Sequence, residues 1–197
     1  GFDRVIHRRN TDSLKWDYAD RVFGEKDLLP MWIADMDFLA PKQVIEAIIR
    51  RAKHGVYGYT ERSASFCETI TGWVRRRHGW NIESKWLTFA PGVGPALGMS
   101  LLALSQPGDK VLLQSPVYHP FYAIITKSGR ELVNNELKLE DGRYVIDFDD
   151  LERKLTSGVR AMILCSPHNP VGRVWSADEL AKLGELCLRN NVIVLSD

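Results

Sequence analysis

The sequence predicts an α/β fold built on a mostly parallel, open sheet, and three observations predict it. The runs Val111-Leu112-Leu113, Met162-Ile163-Leu164 and Val192-Ile193-Val194-Leu195 are apolar throughout, as strands covered on both faces should be. Helix-period segments separate the β-prone runs, and strand–helix alternation of this kind favours parallel pairing. Finally, Pro-, Gly- and polar-rich loops follow the runs, where a parallel sheet collects its ligand-binding groups.

Composition bounds the rest. The 197 residues are 45% hydrophobic and 26% charged, an ordinary globular mix that excludes disorder, collagen and coiled coil. The 26 Lys and Arg residues balance 25 Asp and Glu residues, so no nucleic-acid partner is expected. No apolar stretch approaches the ~18 residues that cross a bilayer, and no basic start followed by an apolar run suggests a signal peptide. No membrane partner is expected. Cys67, Cys165 and Cys187 are odd in number and lack CxxC spacing. They read as small core residues of a protein in a reducing cytoplasm, with no metal site or disulfide framework.

Residues 1–40 show no sustained period and mix charge with aromatics, which reads as an arm packed against a larger body. After Pro41, Val44, Ile45, Ile48, Ile49 and Ala52 follow a helical period that Gly55 stops. A second helix is expected over 63–78, with Phe66, Ile70, Trp73 and Val74 on one face. Its Arg75-Arg76-Arg77-His78 ending suits either a phosphate patch or cations at a helix C-terminus. Strands are then expected at Trp86–Ala90, Lys110–Gln114, Glu131–Glu136, Arg160–Cys165 and Val192–Ser196. Helices are expected near Pro95–Ser105, His119–Ser128, Phe148–Leu155 and Ala177–Asn190, the last opened by Ser176 and Glu179 at capping-box spacing.

Chemistry gathers just after these strands. Ala90-Pro91-Gly92-Val93-Gly94-Pro95 leads into a helix, where close backbone approach and free N–H groups suit an anion such as phosphate. A tight turn without ligand is the plain alternative. A dinucleotide fingerprint fails, because Leu97 stands where the third glycine is required and Gln114-Ser115 replaces the ribose-binding acid. Ser115-Pro116-Val117-Tyr118-His119-Pro120 offers Tyr118 as a platform for a flat heterocycle, or as ordinary packing. In Ser166-Pro167-His168-Asn169-Pro170, Asn169 is either a turn residue or an amide aimed at a ligand oxygen. Asp197 ends an apolar run, where a carboxylate needs a cation or a donor. A phosphorylated heterocycle with a phenolic oxygen and a basic ring nitrogen uses all four, and pyridoxal phosphate has those parts.

These loops, together with Pro107-Gly108-Asp109, Val171-Gly172-Arg173-Val174-Trp175, Pro30-Met31-Trp32-Ile33-Ala34-Asp35-Met36-Asp37-Phe38, Tyr57-Gly58-Tyr59-Thr60 and Arg77-His78-Gly79-Trp80, resemble the fold-type I pyridoxal-phosphate enzymes. More narrowly, they resemble the MalY/PatB cystathionine β-lyase branch of the class I/II aminotransferases. The resemblance implies a three-layer αβα fold. Residues 1–45 would form an N-terminal arm and part of the small domain, and 46–197 the N-terminal part of the large coenzyme-binding domain.

It further implies that Val93 and Gly94 amides hold the phosphate, Tyr118 stacks on the ring, Asn169 bonds the phenolic oxygen and Asp197 pairs with the ring nitrogen. Tyr59 would reach the phosphate of the neighbouring subunit in a homodimer, with Tyr57 the weaker candidate. Ile33 and Ala34 would line the pocket of a small amino-acid substrate. The family's Schiff-base lysine and carboxylate-gripping arginine would lie beyond Asp197. The implied reaction is α,β-elimination of L-cystathionine or a related cysteine S-conjugate to a thiol, pyruvate and ammonia. An aminotransferase, or a non-catalytic regulatory protein on the same fold, are the alternatives.

Overall fold

Short-range and charge-pair contacts organise the first part of the chain, as seen in a computed structural model that describes residues 2–197. The chain divides into two compact units, one running to Trp73 and the other spanning Val74–Asp197. The first holds α1 (Leu14–Asp17), α2 (Ala19–Phe23), α3 (Lys42–His54) and the start of α4 (Ala64–His78). Its arm finds a partner within its own sequence. Asp37 accepts from Lys15 Nζ (2.7 Å), Arg8 Nη1 (2.7 Å) and Trp16 Nε1 (2.8 Å), and Arg8 Nη2 also donates to Asp35 (2.7 Å). Those donors hold both carboxyl groups below the usual carboxylate range, Asp37 most strongly. Pro41 stands at the N-cap of α3 and Gly55 ends it in the left-handed region. Val44, Ile45, Ile48 and Ile49 on this helix are exposed.

The second unit contains α5 (Val93–Leu104), β1 (Lys110–Leu113), α6 (Pro120–Lys127), β2 (Glu131–Asn134), β3 (Lys138–Glu140), β4 (Arg143–Val145), α7 (Phe148–Leu155), β5 (Val159–Leu164), α8 (Ala177–Arg189) and β6 (Ile193–Ser196). Strands β2-β1-β5-β6 form a sheet in that order, every pair parallel. Alternation along each strand sorts the core into two layers. Val111, Leu113, Ala161 and Ile163 pack with Leu97 and Leu101 of α5 and Phe121 and Ile125 of α6. Leu112, Met162 and Leu164 pack with Leu151 and Leu155 of α7 and Leu183 and Leu186 of α8. The expected three-layer αβα arrangement is therefore present. The Ser176–Glu179 capping box forms in both directions, and Asp147 caps α7 through the Asp150 N–H.

Three expectations need correction. Residues 86–90 form no strand: Ser84–Trp86 is a 3₁₀ turn, and 87–90 pair with no strand among the described residues. An apolar, β-prone run becomes a strand only beside a neighbour that completes its ladder. The β3–β4 hairpin is additional. Its turn residues Asp141 (φ 49°) and Gly142 (φ 75°) both adopt the positive φ of a two-residue hairpin loop. Finally, Cys165 and Cys187 are buried but Cys67 is only half-buried.

A buried guanidinium closes the C-terminal end of α5. Arg130, 5% exposed, donates to Ser105 Oγ (2.9 Å), Ser105 O (2.6 Å), Leu101 O (3.1 Å) and Ser128 O. Every acceptor is neutral, and two are carbonyls of the last helical turn, where the helix carries partial negative charge. Replacing Arg130 with Met leaves the Ser105 and Ser128 carbonyls without their donor, whereas Leu101 O keeps the Ser105 N–H and hydroxyl. The variant should lose about 2–3 kcal/mol of stability, read as a lowered urea midpoint at unchanged m-value.

Candidate active site

The strand order creates a crevice. From β1 the chain passes through α6 to β2 on one side, whereas β5 pairs on the other side of β1 and leads to α8 on the opposite face. The loops after β1 and β5 therefore leave in opposite directions, and the space between them is where open parallel sheets bind ligands. Tyr118 lies on the first loop and Asn169 on the second.

The β5 loop is built from its base upward. His168 and Arg173 face each other as an isolated bridge, with His168 N–H donating to Arg173 O (2.7 Å) and Gly172 N–H to His168 O (2.8 Å). Four residues, Asn169-Pro170-Val171-Gly172, bulge between them and carry Asn169 exposed at one corner. Arg173 Nε donates to Tyr144 O (2.7 Å) and Nη2 pairs with Glu179. Trp175 lies under the Arg173 guanidinium (4.7 Å) and donates to Cys165 O (3.0 Å). The His168 ring is buried, packs edge-on to Trp175 (5.3 Å) and bonds Pro116 O through Nε2 (2.9 Å). Burial pushes its pKa down, so the imidazole is neutral near pH 7. That bond joins the Asn169 loop to the loop two residues before Tyr118.

Tyr118 is 42% exposed, with its ring edge-on to Phe121 and His119, both at 5.5 Å. One face of a partly exposed ring in that setting can receive a planar ligand. A polar chain runs from the end of β1 to α7. Gln114 Nε2 donates to Asn135 Oδ1 (2.9 Å), Asn135 Nδ2 to Asp150 (2.8 Å), and Lys154 Nζ to Asp150 (2.6 Å). Asn134 accepts from Ser115 N–H (3.1 Å) and donates to Ser115 Oγ (2.7 Å). Asp197 continues the ladder past β6: its N–H donates to Leu164 O (2.8 Å), and Ser166 N–H donates to its carbonyl (2.9 Å). Its side chain is exposed beside Cys165, whose thiol is pushed up by burial and further by the Asp197 charge.

The N-terminus of α5 lies toward the same end of the sheet, because α5 leads through 105–109 into β1 and runs against it. Gly92 (φ 155°) turns the chain into the helix; a Cβ there would be strained and 3.6 Å from Pro95 Cδ. No side chain caps α5 and no acid occupies its first turn. Ala96 N–H is used on Gly92 O (3.0 Å), and Pro95 has no N–H. Val93 and Gly94 are left as N–H donors without an acceptor among the described residues. Such a pair of free donors suits a phosphate. A Cβ at Gly94 would meet only Ile124 Cδ1, at 3.8 Å.

Val93, Gly94, Tyr118, Asn169 and Asp197 thus all belong to the second unit and to its carboxyl-end edge. Tyr59, fully exposed, and Ile33 and Ala34, on the segment clamped through Asp35 and Asp37, belong to the first unit. The supporting residues His168, Gln114, Asn135 and Arg173 are not apparent from residue type. Only the placement of His168 between two prolines, next to Asn169, offered a signal. No cluster of metal-binding side chains occurs among the described residues.

Comparison with known proteins gives a consistent picture. The family model for aminotransferase class I and II matches residues 26–197. Cystathionine beta-lyase PatB of Bacillus subtilis (strain 168) is 49% identical over 197 residues, covering 100% of this chain and 51% of the relative. Cystalysin from Treponema denticola, whose crystal structure contains pyridoxal 5'-phosphate, superposes with a TM-score of 0.92 at 36% identity, covering 100% of this chain and 51% of its own. The PLP-bound C-S lyase from Staphylococcus hominis gives 0.91 at 35% identity, covering 100% and 50%. The chain spans about half the length of the curated relatives it matches.

A buried neutral imidazole predicts a pH dependence. With its pKa lowered on folding, His168 binds fewer protons in the folded than in the unfolded chain. Its contribution to stability is complete above the ordinary histidine value of about 6.5 and is lost as pH falls below it. The thermal midpoint should drop between about pH 7.5 and 5.5, and part of that drop should vanish in His168→Gln.

Proposed function

The chain belongs to the family of class I and II aminotransferases, and we propose that it is the N-terminal part of a pyridoxal 5'-phosphate-dependent carbon–sulfur β-lyase. One observation carries the reading. Two unaccepted helix N–H donors, an open tyrosine face, an amide and a carboxylate stand along one sheet edge, and together they match the functional groups of a single coenzyme. Likeness to a cystathionine beta-lyase at 49% identity and to PLP-bound lyase structures supports the reaction class.

Each residue has a stated task. The Val93 and Gly94 amides bind the phosphate, aided by the positive end of α5. Tyr118 stacks on the pyridine ring and limits its tilt, while the Asn169 amide donates to the phenolic oxygen. Asp197 holds a proton at the ring nitrogen, since an adjacent carboxylate favours the protonated form. When bound, the coenzyme supplies an electron sink for the bond broken at Cα. Ile33 and Ala34 line the pocket for a small amino-acid substrate, L-cystathionine or a related cysteine S-conjugate, released as thiol, pyruvate and ammonia. Tyr59 reaches the phosphate of the second subunit of a homodimer. Residues 1–45 serve as arm and part of the small domain, and 46–197 as the N-terminal part of the large domain. Three free cysteines fit a cytoplasmic location, and no described helix is long and apolar enough to cross a membrane.

The family description also favours a second reading, amino-group transfer by the same residues. The full-length protein incubated with L-cystathionine separates the two. Pyruvate formed without an added keto acid is the expected result, and strict keto-acid dependence would establish transfer instead. Asp197→Ala should lower turnover by about two orders of magnitude or more, measured as pyruvate release; turnover near wild type would remove Asp197 from the mechanism.

A further inference from the structure

We propose that His168 is a positioning residue of the coenzyme site, a buried clasp that sets the Tyr118 loop against the Asn169 loop. The inference rests on the reading of the site given above and goes beyond it, because that reading assigns His168 no group of the coenzyme.

Parallel pairing between β1 and β5 runs only as far as Leu112 and Met162. Beyond that point the ladder no longer fixes the separation of the two chains, and their loops diverge. His168 spans the gap. Its backbone is pinned on both sides of the bulge by the bonds to Arg173 O and from Gly172 N–H. Its ring, 1% exposed, reaches Pro116 O at 2.9 Å across 52 positions of sequence. Tyr118 follows Pro116 by two residues and Asn169 follows His168 by one. This bond therefore links the loop that carries the stacking ring to the loop that carries the donor amide.

The chemistry of the bond defines the imidazole. A carbonyl can only accept, so Nε2 carries the hydrogen. Nδ1 then presents a lone pair, and it is buried without a donor among the described residues. Edge-on packing against Trp175 at 5.3 Å limits rotation of the ring, so the donor direction is preset. Arg173 and Glu179, the charged pair at the base of the loop, hold each other. A clasp of this kind needs a donor at the reach of Nε2 and a planar body against Trp175. Glutamine keeps the donor at nearly that reach. Asparagine is too short for it, and phenylalanine keeps the planar body but has no donor.

The test uses the full-length protein. Wild type, His168→Gln, His168→Asn and His168→Phe are stripped of coenzyme and titrated with pyridoxal 5'-phosphate. Affinity and the visible circular dichroism of the bound coenzyme are recorded, with far-ultraviolet dichroism as the control for folding. The Asn and Phe variants should bind about tenfold more weakly, the loss expected for one buried hydrogen bond, and with an altered visible signal. His168→Gln should stay within about threefold of wild type. If the Phe variant does not fold, the Asn variant carries the same prediction. Asn or Phe variants within about twofold of wild type with an unchanged visible signal would overturn the inference, as would lower unfolding temperatures in all three variants with an unchanged visible signal. Wild-type protein that takes up no coenzyme would overturn the underlying coenzyme reading, and the clasp with it.

Discussion

Parallel pairing of β1 with β5 is the constraint on which the carboxyl edge of the sheet depends. It places two strands side by side whose outgoing helices cover opposite faces, so the chain must part there. The apolar content of both strands makes that arrangement stable. Val111, Leu112 and Leu113 are fully buried, as are Ala161, Met162 and Ile163, and each strand serves both core layers. A polar substitution in either strand would be felt on one of two packed faces, with no solvated side to turn to.

Electrostatics at the edge follows from the same geometry. Helix α5 ends in opposite environments: free N–H groups at Val93 and Gly94, and carbonyls satisfied by Arg130 at Leu101 and Ser105. A cation at the C-terminal end and an anion at the N-terminal end both lower the energy of the helix dipole. The strand ends bring polar groups of another kind. Gln114, Asn135 and Asp150 are knit by amide and carboxylate bonds, and Asn134 bonds Ser115. Burial opposes ionisation of Asp150, and its bonds to Lys154 and Asn135 outweigh that opposition. The end of β1 is thereby tied to β2 and α7 by bonds that do not involve the Tyr118 ring.

What was legible in the sequence was what short-range chemistry decides. Uniformly apolar triplets announced buried strands, Ser176 and Glu179 announced a helix start, and the proline-flanked loops marked the strand ends. Residues 87–90 misled because strand formation depends on a neighbour, not on the run alone. The Asp141-Gly142 pair is itself a hairpin-turn signal, both residues taking positive φ. The arm was opaque because its order comes from charge pairs 20 to 29 residues apart, such as Arg8 with Asp37. His168 was hidden for a similar reason. Its burial is set by Trp175 from its own loop and by Pro116 from a different one.

The β3–β4 hairpin stands outside the main sheet, with Asp141 and Gly142 exposed at its tip. Its second strand nonetheless touches the base of the Asn169 loop, through the bond from Arg173 to Tyr144 O. The tip is thus a natural handle. A fluorophore or a short grafted peptide there would leave both core layers intact, yet would sit on the hairpin whose second strand bonds the base of the Asn169 loop.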